Sequence, residues 1–205
     1  MIREQFLAGA RIVVDAISSP VVADAWDAPS VLADQRVGGL AGHLARGAVW
    51  VVGDYLDQPE PAAATFGSVE DYVAGVLGGA DDAAHRAIRE RGAAVAAPGP
   101  AAVAALAAAR LAALEARLPA EPSGRITVVA GGAMRLDDYL VTRLVEQVVH
   151  LDDLARSVGV ERWPTPDEHV RLALTAGVGI GLRRYGAAAM LAALFRDDPS
   201  ALPVL

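Results

Sequence analysis

Apolar residues along this chain recur mostly at intervals of three and four, the spacing of one face of an α-helix. Ile2, Phe6, Ala10 and Val13 mark a first helix over residues 2–18, closed by Ser18, Ser19 and Pro20. Residues 19–36, with Pro20, Trp26 and Pro29, read as a loop over the end of a bundle. Val37, Leu40, Ala41, Leu44, Ala48, Val51, Val52 and Tyr55 form the stripe of a second helix over residues 37–57. His43, Arg46, Trp50 and Asp54 fall on its other side. Trp50, at i+7 from His43, puts a large aromatic on that nominally polar face, so the face is expected to be partly covered.

Pro59 and Pro61 mark the next loop, and Ser68-Val-Glu-Asp71 has the spacing of a capping signature that opens a third helix. This helix reaches about residue 96, with a break expected at Gly78-Gly79. Pro98-Gly99-Pro100 ends it, and an alanine-rich fourth helix covers residues 101–118. Residues 125–129, Arg-Ile-Thr-Val-Val, are the single β-like run, followed by Gly131-Gly132. The longest amphipathic pattern then spans residues 136–158, with Leu140, Leu144, Val148, Leu151 and Ala155 on its apolar side. Gly159 stops it. Thr165, Pro166 and Glu168 read as N-cap, first helical residue and N3 of a further helix to about residue 185. A short last helix over 187–195 and a frayed tail follow. Residues 1–205 thus read as one all-α domain with at most one short strand or hairpin.

Composition narrows the function. Of 205 residues, 54% are hydrophobic and 21% charged, which suits a packed core rather than a disordered chain. The net charge of −7 and the lack of any Lys/Arg-rich block argue against nucleic acid as a partner. There is no cysteine, so there is no disulfide and no thiolate ligand, and any thiol used must come from outside. The N-terminal helix carries Glu4, Arg11 and Asp15 and does not read as a signal peptide. The longest apolar run, residues 172–182, is too short to span a bilayer and ends at Arg183-Arg184. A cytoplasmic protein without a membrane partner is expected. Gly177-Val-Gly-Ile-Gly181 follows no strand and is not a dinucleotide loop. Ala173, Gly177 and Gly181 would let a neighbouring helix approach closely, which leaves a homodimer open.

The candidate chemistry lies on the longest helix. Thr142, Arg143, Glu146, His150, Asp153 and Ser157 form a narrow polar strip, and Glu146 and His150 stand one turn apart on one face. A carboxylate and an imidazole so placed can share a divalent ion if the fold supplies a third ligand, for which His43 is the candidate. Arg143 and Asp153, about a turn away, are candidates to orient the ligands, or equally to pair with each other or with neighbours, and Trp50 is a candidate to touch the ligands or a substrate. Acid-x-x-x-His spacing alone is weak, because 25 of 205 residues are acidic; Asp81/His85 repeats it and reads as a solvated face. His169 reads as structural or exposed.

Two segments together resemble a known family. Residues 37–45, Val-Gly-Gly-Leu-Ala-Gly-His-Leu-Ala, are similar to the helix bearing the first ligand histidine of DinB-like proteins. Residues 143–155, from Arg143 through Glu146 and His150 to Asp153-Leu-Ala, resemble the later helix of the mycothiol-dependent maleylpyruvate isomerase group. Their order and separation match as well. The resemblance implies a DinB-like four-helix bundle with an additional C-terminal helix, and a divalent metal held by His43, Glu146 and His150. Two imidazoles and a carboxylate suit zinc, though nickel, iron or manganese also accept this set. It further implies mycothiol as cosubstrate, with a small electrophile as substrate of a transferase or isomerase-like reaction. About 45 residues follow the second motif, fewer than the C-terminal domain of the full isomerase requires. A related reaction is therefore expected rather than maleylpyruvate isomerisation itself. The alternative is a non-catalytic bundle that binds a metal or small ligand.

Overall fold

A computed structural model describes residues 1–76 and 82–196. The elements are α1 (Ile2–Ile17), α2 (Pro20–Asp24), α3 (Val37–Ala45), a π-helical turn (Arg46–Trp50), α4 (Val51–Leu56), α5 (Val69–Val76) and α6 (Asp82–Ala96). They are followed by α7 (Pro100–Arg117), a single 3-10 turn, β1 (Ile126–Val129), β2 (Gly132–Arg135), α8 (Leu136–Val158) and α9 (Asp167–Phe195). The fold is all-α with one small hairpin and an added C-terminal helix, as the periodicity predicts. The bundle consists of α1, the α3–α4 rod, α7 and α8, which pack on one another. Phe6, Leu40, Leu44, Leu56, Leu114, Tyr139, Leu140 and Leu144 fill its interior, each less than 2% or at most 2% exposed. Helix α6 lies along α3, while α5 and α9 pack together beside α8.

Local signals explain most boundaries. Pro100 sits in the first turn of α7 after Gly99, whose φ of 92° would strain any other residue. Gly159, at φ 69°, gives α8 its left-handed end. Asp137 and Asp138 favour the positive end of the α8 dipole. Arg3 ties the start of α1 to Asp137 at 2.7 Å and to the carbonyls of Leu118, Glu121 and Pro122.

Four details differ from the sequence reading. Residues 19–36 contain a short helix, α2, and a bridge between Pro29 and Arg36. The β-like run has a partner, β2, with Ile126 opposite Arg135; the Gly-Ala-Met-Arg segment lacks β-branched residues and is a strand only because β1 and Thr65–Phe66 pair with it. Pro166, not Thr165, occupies the N-cap of α9, with an extended backbone (ψ 141°) that delays the helix by one residue. The rod over residues 37–56 is interrupted by the π turn. The break in α9 falls at Gly186 (φ 80°, ψ 166°), between the two helices expected there. The expected break at Gly78-Gly79, and Asp81, lie outside the described residues; His85 is exposed. Among the described residues α9 alone has the length and hydropathy of a membrane span, but it is bent at Gly186 and carries Arg183 and Arg184 mid-length.

Helices α3 and α6 approach each other closely at their glycines. A Cβ on Gly42 would collide with the Gly92 carbonyl, and one on Gly92 would lie 2.6 Å from the Gly39 carbonyl oxygen and 3.1 Å from the His43 Cβ. Both obstacles include backbone, which cannot swing aside. Gly47 faces open space by comparison, its nearest neighbour being the His43 ring at 3.6 Å. Gly42→Ala and Gly92→Ala should each lower unfolding free energy by about 1–3 kcal/mol in urea titrations. Gly47→Ala should stay within about 0.5 kcal/mol of the parent. Equal stability of all three would show that the crossing is looser than described.

Candidate metal centre

The α3–α6 crossing and the α1–α8 packing set the two helices that carry the candidate ligands. His43 lies on α3 just before the π turn, and Glu146 and His150 lie on successive turns of α8. One ligand atom from each of the three residues lies within 4.8 Å of the others. Glu146 Oε2 is 3.3 Å from His43 Nε2 and 3.3 Å from His150 Nε2. Charge-assisted N–H···O bonds are shorter, about 2.7–2.9 Å. Two ligands on one ion with bonds near 2.0–2.2 Å stand roughly 3 Å apart or slightly more. The spacing therefore fits neighbouring ligands of one cation better than a direct ion pair. The imidazole rings of His43 and His150 meet nearly perpendicular, with centroids 4.9 Å apart.

The surrounding groups orient these three. Asp153 Oδ2 stands 3.0 Å from His150 Nδ1, so Nδ1–H donates to the carboxylate and Nε2 is turned toward Glu146. Arg143 is only 9% exposed; Nη1 donates to the Gly47 carbonyl at 2.9 Å and Nε to Thr142 Oγ1 at 3.0 Å. Its guanidinium lies 4.9 Å over the Tyr139 ring, and Nη2 reaches within 3.7 Å of Glu146 Oε1. Burial works to raise the Glu146 pKa, but the Arg143 charge and the bonds from His150 and His43 outweigh it. The carboxyl is held well below the usual carboxylate range. Burial likewise works against the charged form of His150, yet Asp153 and Glu146 prevail and push its pKa up to about 9.

The π turn has a direct part in this. Such a turn holds one residue more than an α-helical turn and disturbs the regular backbone ladder. Here the Gly47 carbonyl accepts from Arg143 and the Ala48 carbonyl from Gln147 Nε2 at 2.9 Å, so two α8 side chains flanking Glu146 dock on it. Gln147 also reaches the Phe6 carbonyl at 3.3 Å. The sequence reading misses Gln147; its signal was an amide embedded in the apolar side of α8. The same turn corrects the place of Trp50. Trp50 is covered as expected, 6% exposed, but beyond the π turn the helix phase no longer matches i+7 from His43, and its side chain packs in the core rather than against the ligands or the cavity. The structure thus brings together His43, Glu146, His150, Arg143 and Asp153, and not Trp50. His169 is buried, not at this site.

A cavity of about 430 Å³ opens on this group. His43, Arg143 and Glu146 line it, with Arg46 and Gly47 of the π turn, Arg91 of α6, and Tyr55, Tyr72 and Tyr139. Its volume is in the range of small-molecule sites. Sequence reasoning does not find the tyrosines or Arg91, because each comes from a different element and none has a local motif.

The sequence profile of the mycothiol maleylpyruvate isomerase N-terminal domain matches residues 7–155. That span runs from within α1 nearly to the end of α8 and includes all five residues gathered at the centre. No curated protein and no solved structure matches the chain. With nearly three quarters of its length matched by that profile, the chain belongs to the mycothiol maleylpyruvate isomerase N-terminal domain family.

Proposed function

We propose that this protein is a metal-dependent enzyme that uses a low-molecular-weight thiol, mycothiol, to transform a small electrophilic molecule. One observation carries the reading: two imidazoles and a carboxylate converge within 4.8 Å at a cavity large enough for a small substrate. The donor set of His43, Glu146 and His150 suits a divalent ion, zinc first. When bound, such an ion supplies a positive charge that lowers the pKa of a thiol or water brought to its open position. The chain's own residues do the rest. Asp153 fixes the His150 tautomer, and Arg143, held by the Gly47 carbonyl and the Tyr139 ring, faces the Glu146 carboxylate. The buried aromatic and aliphatic walls, Tyr139 and Val51 among them, limit water at the site. The thiol enters from outside, since the chain has no cysteine.

A second reading, a non-catalytic metal-binding bundle, draws on the burial of the three donors, whose side chains are only 15–21% exposed. The two readings part on activity. The metal-loaded protein should conjugate mycothiol to an electrophile, and treatment with a chelator should abolish this, with recovery on adding zinc. His43→Ala and Glu146→Gln should lose metal by elemental analysis. Asp153→Asn should weaken metal binding by roughly 10–100-fold while keeping the stoichiometry. Equal conjugation rates with and without metal would leave only the binding reading.

The raised pKa of His150 gives a separate check. Its value near 9, against 6.5 as the ordinary value, means that the metal-free protein holds the His150 proton at neutral pH. Metal binding requires the neutral ring, so the ion must displace that proton. Calorimetric titration at pH 7.5 in buffers of different ionisation enthalpy should show about one proton released per metal. Apparent affinity should climb through pH 7 to 9 and then level off. The sign for metal-free stability is opposite. A raised pKa contributes fully below 6.5 and is lost as pH rises through 9, so the melting temperature should fall over that window. A flat response would remove the Asp153–His150–Glu146 relay from the picture.

A further inference from the structure

The cavity carries more positive charge than the candidate ligands explain. Among the described residues Glu146 is the one carboxylate that lines it, against the guanidinium groups of Arg46, Arg91 and Arg143. Arg143 is committed to Glu146, Gly47 and Thr142. Arg46 and Arg91 are not: among the described residues neither side chain has an ion-pair or hydrogen-bond partner. The hydroxyls of Tyr55, Tyr72 and Tyr139 also lack partners there. A guanidinium offers five N–H donors and no acceptor, and a phenol adds one donor more. The lining is therefore rich in donors and poor in acceptors. This concentration occurs in a chain of net charge −7, so it is not a sample of the general surface. Unpaired arginines do occur elsewhere, as with Arg89 on the same helix, but Arg89 faces a different groove that Asp27 and Asp34 also line.

Position strengthens the point. Arg46 is three residues after His43 and begins the π turn. Arg91 precedes Gly92, where the lack of a side chain lets this part of α6 lie against α3 beside His43. The two cations thus reach the cavity from two helices beside the candidate metal ligands.

We infer that Arg46 and Arg91 form an oxyanion subsite, which holds a carboxylate or phosphate of the small-molecule substrate while its reacting part lies toward His43 and Glu146. The inference rests on the cavity being the substrate's, as proposed above. Two forked guanidiniums suit planar or tetrahedral oxyanions, which accept paired N–H bonds.

Calorimetric titration of the full chain with succinate, inorganic phosphate and neutral succinamide tests this, with metal-loaded and chelator-treated protein run in parallel. Succinate or phosphate should bind in both preparations, more weakly as salt is raised. The preferred anion identifies the substrate group as carboxylate or phosphate. Arg46→Gln and Arg91→Gln should each weaken that binding roughly tenfold or more, and succinamide should bind at least about tenfold more weakly than succinate. Arg89→Gln should leave it unchanged. Arg46→Lys and Arg91→Lys keep the charge without the fork and should give intermediate losses; they serve if a Gln variant does not fold. Anion binding that is absent, or equal in the arginine variants and the parent, overturns the subsite. Loss of metal binding with arginine-dependent anion binding intact would sink the proposed chemistry alone. Normal metal binding with arginine-independent anion binding would sink the subsite alone.

Discussion

The site depends on a single buried carboxylate. Glu146 sits where burial penalises its charge, and it remains ionised because Arg143, His150 and His43 surround it. These groups come from segments about a hundred positions apart. Arg143 is itself nearly inaccessible and is held by the Gly47 carbonyl, the Thr142 hydroxyl and the Tyr139 ring. Buried charges of this kind are a weak source of stability, because desolvation offsets most of the attraction. They do, however, demand a defined arrangement, since losing one member strands the others. The glycines at the α3–α6 crossing, and Gln147 of α8 docked on the π turn, keep the helices in that arrangement.

The helices were legible from periodicity, and so was the pairing of Glu146 with His150, because both are local facts about a 3.6-residue repeat. His43 could be joined to them only through the resemblance of two short segments in a fixed order. What was not legible is tertiary. Nothing in the run Arg46 to Trp50 announces a π turn, so Trp50 was placed by an α-helical phase that the backbone does not keep. Strand β2 exists through its partner rather than its own residues. Whether an arginine is paired depends on which carboxylates the fold brings near, and Arg46 and Arg91 meet across 45 positions of sequence. Pro166 shows the limit of cap signals: the right residues were present, one position out of phase.

Charge is also distributed with a purpose that composition hides. An acidic chain repels anions at a distance, yet among the described residues this cavity gathers three guanidiniums around one carboxylate. Its walls are partly aromatic and aliphatic, so the field of the buried Arg143 in particular is weakly screened inside. A small anion reaching the opening passes from a repulsive surface to an attractive interior, which favours compact ligands over extended acidic polymers.

The underwound segment after His43 has a consequence for descent. A copy of this gene lacking one codon between Arg46 and Trp50 could close the rod as ordinary helix without breaking a single turn. The backbone would survive, and Val51 to Leu56 would keep nearly their present direction relative to His43, because the extra residue is what the π turn absorbs. The Gly47 and Ala48 carbonyls would be drawn back into the ladder and away from α8. Such a descendant would keep the bundle and every ligand residue in its sequence, and would still have dismantled the cradle around them.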